Sequence, residues 1–184
     1  TNGDSYTDGK SVVISSKLDD KLFDSTVGLA LHEGSHIKLS NFDFLKNLEN
    51  EIPTEYYKRA EVFGWSNYDV MSKVKDLLNY VEDRRIDYFV FTNSPGYKGY
   101  YHSLYDKYFH AKVIDKALTS EEYTSLDYDS YIFRIINLTN KNSDLSALPG
   151  LVDIRKVIFS NVKNLQSTEE AFSIALKVFD IILN

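Results

Sequence analysis

A chain of 184 residues and 21.2 kDa has the size of one domain and is long enough to bury a core of its own. Its net charge of −6 and pI near 5.2 argue against a nucleic-acid-binding face, which needs clustered Lys and Arg on phosphate. The lack of cysteine excludes disulfides and thiolate metal sites, and no apolar run approaches the roughly 18 residues of a membrane span, so any metal must rest on His, Asp or Glu.

No repeat or linker divides the chain, and the expectation is a single α+β domain over 1–184, mostly α-helical. The chain opens on Thr1 rather than Met, so a longer parent protein is expected. Asp8-Gly9 signals a turn, and Val12-Val13-Ile14 within 11–16 reads as a short strand, half of a hairpin. Asp19 or Asp20 can cap a helix running to about Leu39. On it Leu22, Leu29 and Leu39 share a stripe with Ser25, His32 and His36.

A short helical piece follows at Phe42, Leu45 and Leu48, and Pro53 suits the first turn of a segment over 53–63. From Tyr68 to Phe91 the apolar residues Met71, Val74, Leu78, Val81, Ile86 and Phe89 keep helical spacing, and Ser94-Pro95-Gly96 ends that helix. Helices are also expected over 100–118, 129–139, 151–165 and 169–183, the last opening on Ser167 and Glu170 at capping-box spacing.

The chemistry concentrates in His32-Glu33-Gly34-Ser35-His36, an HExxH motif on the first helix. Residues four apart lie one turn apart on one face, so two imidazole nitrogens can converge on one zinc ion at about 2.0–2.1 Å. Glu33 stands about 100° round the helix, where it is placed to take a proton from a zinc-bound water rather than to ligate beside both histidines. A chain with this His and Glu content carries the motif by chance only about once in two hundred times.

A catalytic zinc needs a third protein ligand and an open position. The run Val81-Glu82-Asp83-Arg84-Arg85-Ile86-Asp87 puts three carboxylates in an otherwise apolar helix, where burying them without partners is costly. Glu82 shares the stripe of Val74, Leu78, Ile86 and Phe89 and is favoured as the ligand, with Asp83 as the alternative. Asp83 and Asp87, one turn apart, can each accept the second N–H of a ligating imidazole, with Arg84 or Arg85 neutralising the carboxylates.

HExxH with a glutamate from a later helix resembles the gluzincin arrangement of zinc peptidases. More narrowly, "SYTDGKSVVIS", "LALHEGSHI" and "LLNYVEDRRID" are similar to metallopeptidase domains of phages and bacteria, often joined to von Willebrand A domains as in relatives of cobaltochelatase subunits. The resemblance covers about residues 5–110. It implies a zincin-like fold, one zinc ion on His32, His36 and Glu82, and a catalytic Glu33.

The expected function is therefore zinc-dependent peptide-bond hydrolysis, with an extended substrate along the edge of the 11–16 strand. Tyr97, Tyr100, Tyr101 and His102, just after the ligand helix, are candidate donors to a developing oxyanion. The competing expectation is a zinc-stabilised protein-binding module that is catalytically weak or inactive within a larger assembly. Either way the expected partners are a peptide or protein and a further domain of the same chain, with no nucleic acid and no membrane. The expected setting is the cytoplasm, or the host cytoplasm if the chain is phage-encoded.

Overall fold

Side-chain caps mark where four of the helices begin. Ser66 accepts from the Asp69 amide while the Asp69 carboxylate accepts from the Ser66 amide, a reciprocal box that opens the longest helix, Asn67–Asn93. Ser167 accepts from the Glu170 amide and opens Thr168–Ile182, while the Glu170 carboxylate accepts from the Gln166 amide rather than from Ser167. Asp127 caps Tyr128–Ile136, and Asn41 caps Phe42–Lys46. Gly150, with φ at +77°, precedes Leu151–Asn161.

The structure is a computed structural model describing residues 6–14 and 20–184. In chain order the strands are β1 (Tyr6–Thr7) and β2 (Val12–Val13). The helices are α1 (Phe23–Leu39), α2 (Phe42–Lys46), α3 (Leu48–Glu51), α4 (Thr54–Ala60), α5 (Asn67–Asn93), α6 (Lys98–Tyr108), α7 (Lys112–Leu118), α8 (Tyr128–Ile136), α9 (Leu151–Asn161) and α10 (Thr168–Ile182). The chain is thus mostly α with a small β element, and no helix among the described residues is long and apolar enough to cross a membrane.

The expected hairpin is present. β1 and β2 pair antiparallel with Tyr6 opposite Val13 and Thr7 opposite Val12. Asp8 Oδ1 accepts from the amides of Lys10 and Ser11, both at 2.8 Å, and Gly9 takes the left-handed φ of +88° that the turn requires. Within the described residues the second strand spans two residues rather than the expected 11–16, whose Ser15 and Ser16 lie outside them. Asp19 also lies outside, and Asp20 does not cap α1: it opens a 3₁₀ turn, Asp20–Leu22, that runs into the helix without a side-chain cap. The expected 100–118 helix is two helices, broken after Tyr108.

The packing explains why the site lies where it does. The N-terminal half of α5 sends Val70, Val74, Leu77, Leu78 and Val81 into the main core, against Ile154 and Ile158 of α9 and Ala175, Val178 and Phe179 of α10. Each such aliphatic side chain contributes about 1.5–3 kcal/mol on burial. The C-terminal half of α5 leaves that core and joins a smaller one, where Val90 packs with Tyr101 and Leu104 of α6 and Leu29 and Leu31 of α1. Residues 82–87 occupy the crossing between the two cores, facing α1.

Candidate metal centre

The α1 face is built by close approach. Gly28 lies one turn before His32, and a Cβ there would stand 2.3 Å from the Tyr100 carbonyl oxygen, so α6 rests directly on the α1 backbone. One and two turns further along, the imidazoles of His32 and His36 meet edge to face, with ring centres 4.8 Å apart. Both side chains are largely buried.

Helix α5 completes the cluster with Asp83. His32 Nε2 and His36 Nε2 are 3.3 Å apart, and Asp83 Oδ1 lies 3.5 Å from the first and 3.1 Å from the second. Metal–ligand bonds of 2.0–2.1 Å at tetrahedral angles separate neighbouring ligand atoms by about 3.3 Å. The three donor atoms therefore stand close to the spacing of one tetrahedral coordination face and could hold a metal ion.

The far nitrogens fix which ring atoms carry protons. Ser40 Oγ donates to Glu82 Oε1 at 2.8 Å, so its contact at 2.9 Å with His36 Nδ1 is a hydrogen bond donated by the ring. Asp87 Oδ1 accepts from His32 Nδ1 at 3.0 Å in the same sense. With both Nδ1 atoms protonated, the rings in their neutral form turn two Nε2 lone pairs toward each other and toward a carboxylate oxygen. Without a metal, a proton on His32 bridges this gap to Asp83; with that proton gone, three acceptors converge on a point that a cation can fill, and the donor set fits zinc.

The third carboxylate differs from the favoured one. Glu82 is 2% exposed and fully engaged elsewhere. Arg85 donates to it through Nε at 2.8 Å and Nη2 at 2.6 Å, and the hydroxyls of Ser40 and Thr168 each donate to Oε1 at 2.8 Å. Glu82 does follow the core stripe, as its spacing predicts, but that stripe carries it past the imidazoles to Arg85, one turn on. A step of one residue turns the helix by about 100°, which brings Asp83 rather than Glu82 to the histidines.

Asp87 takes the expected supporting position. Its Oδ2 accepts from Arg84 Nη2 at 2.9 Å and from the Tyr105 hydroxyl, leaving Oδ1 for His32. Arg84 and Arg85 thus neutralise Asp87 and Glu82 respectively. Ser40, Tyr105 and Thr168 join the network although the sequence reading passed over them. Ser40 had a signal, standing one helical turn beyond His36; Tyr105 and Thr168 are brought in only by the packing of α6 and α10.

The field of the cluster follows from these contacts. Burial by itself lowers the His32 pKa, but Asp83 and Asp87 outweigh it and hold the pKa well above 6.5. Burial by itself raises Asp83, and His32 and His36 outweigh it, holding that carboxyl well below the usual range. Burial also raises Glu33, against the opposing pull of the two imidazoles and a hydrogen bond from the Thr7 backbone of β1.

The oxyanion candidates separate. Tyr97 is 46% exposed, and His102 stacks on Phe91 with ring centres 6.4 Å apart. Tyr100 gives its carbonyl to the Gly28 contact. Tyr101 alone of the four has its ring beside the cluster, 6.5 Å from that of His32. Its buried hydroxyl, near Ser35, has no well-aligned hydrogen-bond partner, and burial raises its pKa so that it stays protonated. No known protein family, curated protein or solved structure matches this chain.

Proposed function

We propose that the chain is a zinc-dependent hydrolase of peptide bonds, with zinc held by His32, His36 and Asp83. The observation that carries this reading is the convergence of two imidazole Nε2 atoms and a carboxylate oxygen at 3.1–3.5 Å separations. Zinc bound there supplies a Lewis acid for a carbonyl oxygen and lowers the pKa of water toward about 7.

The protein's own groups do the rest. Glu33, next to the cluster in sequence and raised toward neutrality by burial, accepts the proton of the attacking water and returns it to the leaving nitrogen. Asp87 and Ser40 hold the two rings with Nε2 turned inward. Tyr101, wholly buried beside His32, keeps a protonated hydroxyl close to the cluster. The β1 hairpin, whose Thr7 amide reaches Glu33, presents an exposed Val13 and Tyr6 along which an extended peptide can pair.

The motifs shared with gluzincin-type domains support the same reading, with an aspartate taking the place given to the glutamate. The proposal carries a cytoplasmic setting, a protein or peptide substrate, and a further domain of the same chain. It is tested with Glu33→Gln against a casein-like substrate. The variant should keep zinc and lose hydrolysis; retained turnover removes Glu33 from its role. A wild type that binds zinc yet cleaves nothing in a broad peptide library makes the zinc-stabilised binding module the correct reading.

A further inference from the structure

We propose that the groove behind the metal centre, between α5, α6 and α9, binds a small organic anion with an aromatic body. The groove encloses about 550 Å³, the size of a small-molecule site. Of the residues around the metal centre it shares Asp87, its partners Arg84 and Tyr105, and the outlying His102, while His32, His36, Asp83 and Glu33 do not line it.

Its walls set the ligand's chemistry. Phe91, Tyr105 and Phe159 supply aromatic surface, which accounts for an apolar, planar body. Arg84, Arg155 and Lys163 supply three cations on a chain whose net charge is −6. Of the two acids on the same walls, Asp87 is paired with Arg84 and His32, and Asp106 turns largely to solvent, with His110 Nδ1 at 3.4 Å. Arg155 and Lys163 make no ion pair within the described residues.

Arg84 is itself only partly satisfied. Its Nη2 donates to Asp87, while its Nε is buried without a hydrogen-bond partner. Two of the guanidinium groups already lie over rings, Arg84 at 4.9 Å from the Tyr105 centre and Arg155 at 5.7 Å from that of Phe159. An anionic head between Arg155, Lys163 and Arg84, with its ring against these aromatics, satisfies both sets of groups at once. A carboxylate and a phosphate ester meet this description equally.

The test is calorimetric titration of the purified protein with phenyl phosphate, 3-phenylpropionate, inorganic phosphate and benzyl alcohol. At least one aromatic anion should bind saturably, with inorganic phosphate and benzyl alcohol about tenfold weaker or worse. Tighter binding of phenyl phosphate identifies a phosphate ester as the ligand, and tighter binding of 3-phenylpropionate a carboxylate. Arg155→Ala and Lys163→Ala, both at exposed positions, should each weaken binding about tenfold. His36→Ala should leave it unchanged, because the anion does not sit on a metal. The proposal is overturned by no saturable binding of either aromatic anion, by equal affinity for benzyl alcohol, by insensitivity to both cation variants, or by loss of binding in His36→Ala.

Discussion

Asp87 reaches from α5 to His32, Oδ1 to Nδ1 at 3.0 Å, and so decides which nitrogen of that ring faces the cluster. Arg84 and Tyr105 hold the other oxygen of the same carboxylate, which stops it from rotating away. Carboxylate partners of ligating histidines typically change metal affinity by about 10–100-fold. Asp87→Asn should therefore weaken zinc binding by about that factor in competition with a chelating dye. Unchanged affinity would show that Asp87 does not orient the ring.

Glu82 and Arg85 form a buried pair, Arg85 being 5% exposed. Removing one member of such a pair strands the other charge and costs about 3–5 kcal/mol, whereas replacing both with apolar groups is often neutral. Glu82→Gln should lower stability to urea by that amount. The double change Glu82→Met with Arg85→Met should recover most of it. A double variant no more stable than the single one would mean the polar contacts to Ser40, Leu39 and Thr168 dominate instead.

His32 gives the centre a pH dependence whose sign can be worked out. Its pKa in the folded, metal-free protein is raised above 6.5 by Asp83 and Asp87 against the effect of burial. The proton thus stabilises the metal-free fold fully below the unfolded value of about 6.5, and that contribution is lost as pH rises through the raised folded value. Zinc needs the same nitrogen bare. Zinc affinity should climb with pH across this window while the metal-free protein loses stability to urea. An affinity flat from about pH 6 to about pH 9 would contradict the assignment of His32 as a ligand.

Two glycines on α1 should answer alanine in opposite directions. At Gly28 the new Cβ meets the Tyr100 carbonyl oxygen at 2.3 Å, and backbone cannot give way as a side-chain tip can. Alanine gains about 1 kcal/mol of helix propensity, but overpacking costs about 1–3 kcal/mol and α6 must shift as a unit. Gly28→Ala should lower Tm by a few degrees. At Gly34 nothing lies within 4 Å, so Gly34→Ala should raise it. A Gly28→Ala protein as stable as the parent would mean that α1 and α6 are not so close.

Much of this architecture was legible because it rests on short-range rules. The i, i+4 spacing of His32 and His36 fixes their shared face, and the apolar period of 68–91 gives nearly the whole of α5. Ser167 and Glu170 mark the start of α10. What was not legible depends on contacts across the fold. Glu82 and Asp83 stand on neighbouring faces of one helix, and which of them meets α1 depends on the rotation of α5 in its two cores. That rotation is fixed by α9, α10 and α6, so a helical stripe identified the buried acid without identifying its partner. Arg85, three residues on, was a clue that Glu82 would be claimed within its own helix. Thr168 could not be found that way, since it lies 86 positions from the Glu82 it contacts.

The most direct measurement is the zinc content, by elemental analysis, of the wild type beside the Asp83→Ala and Glu82→Gln proteins. One equivalent of zinc should accompany the wild type and the folded Glu82→Gln variant, and none should accompany Asp83→Ala. Zinc retained by Asp83→Ala but absent from Glu82→Gln, or a wild type that holds no zinc when offered it, would contradict the centre described above.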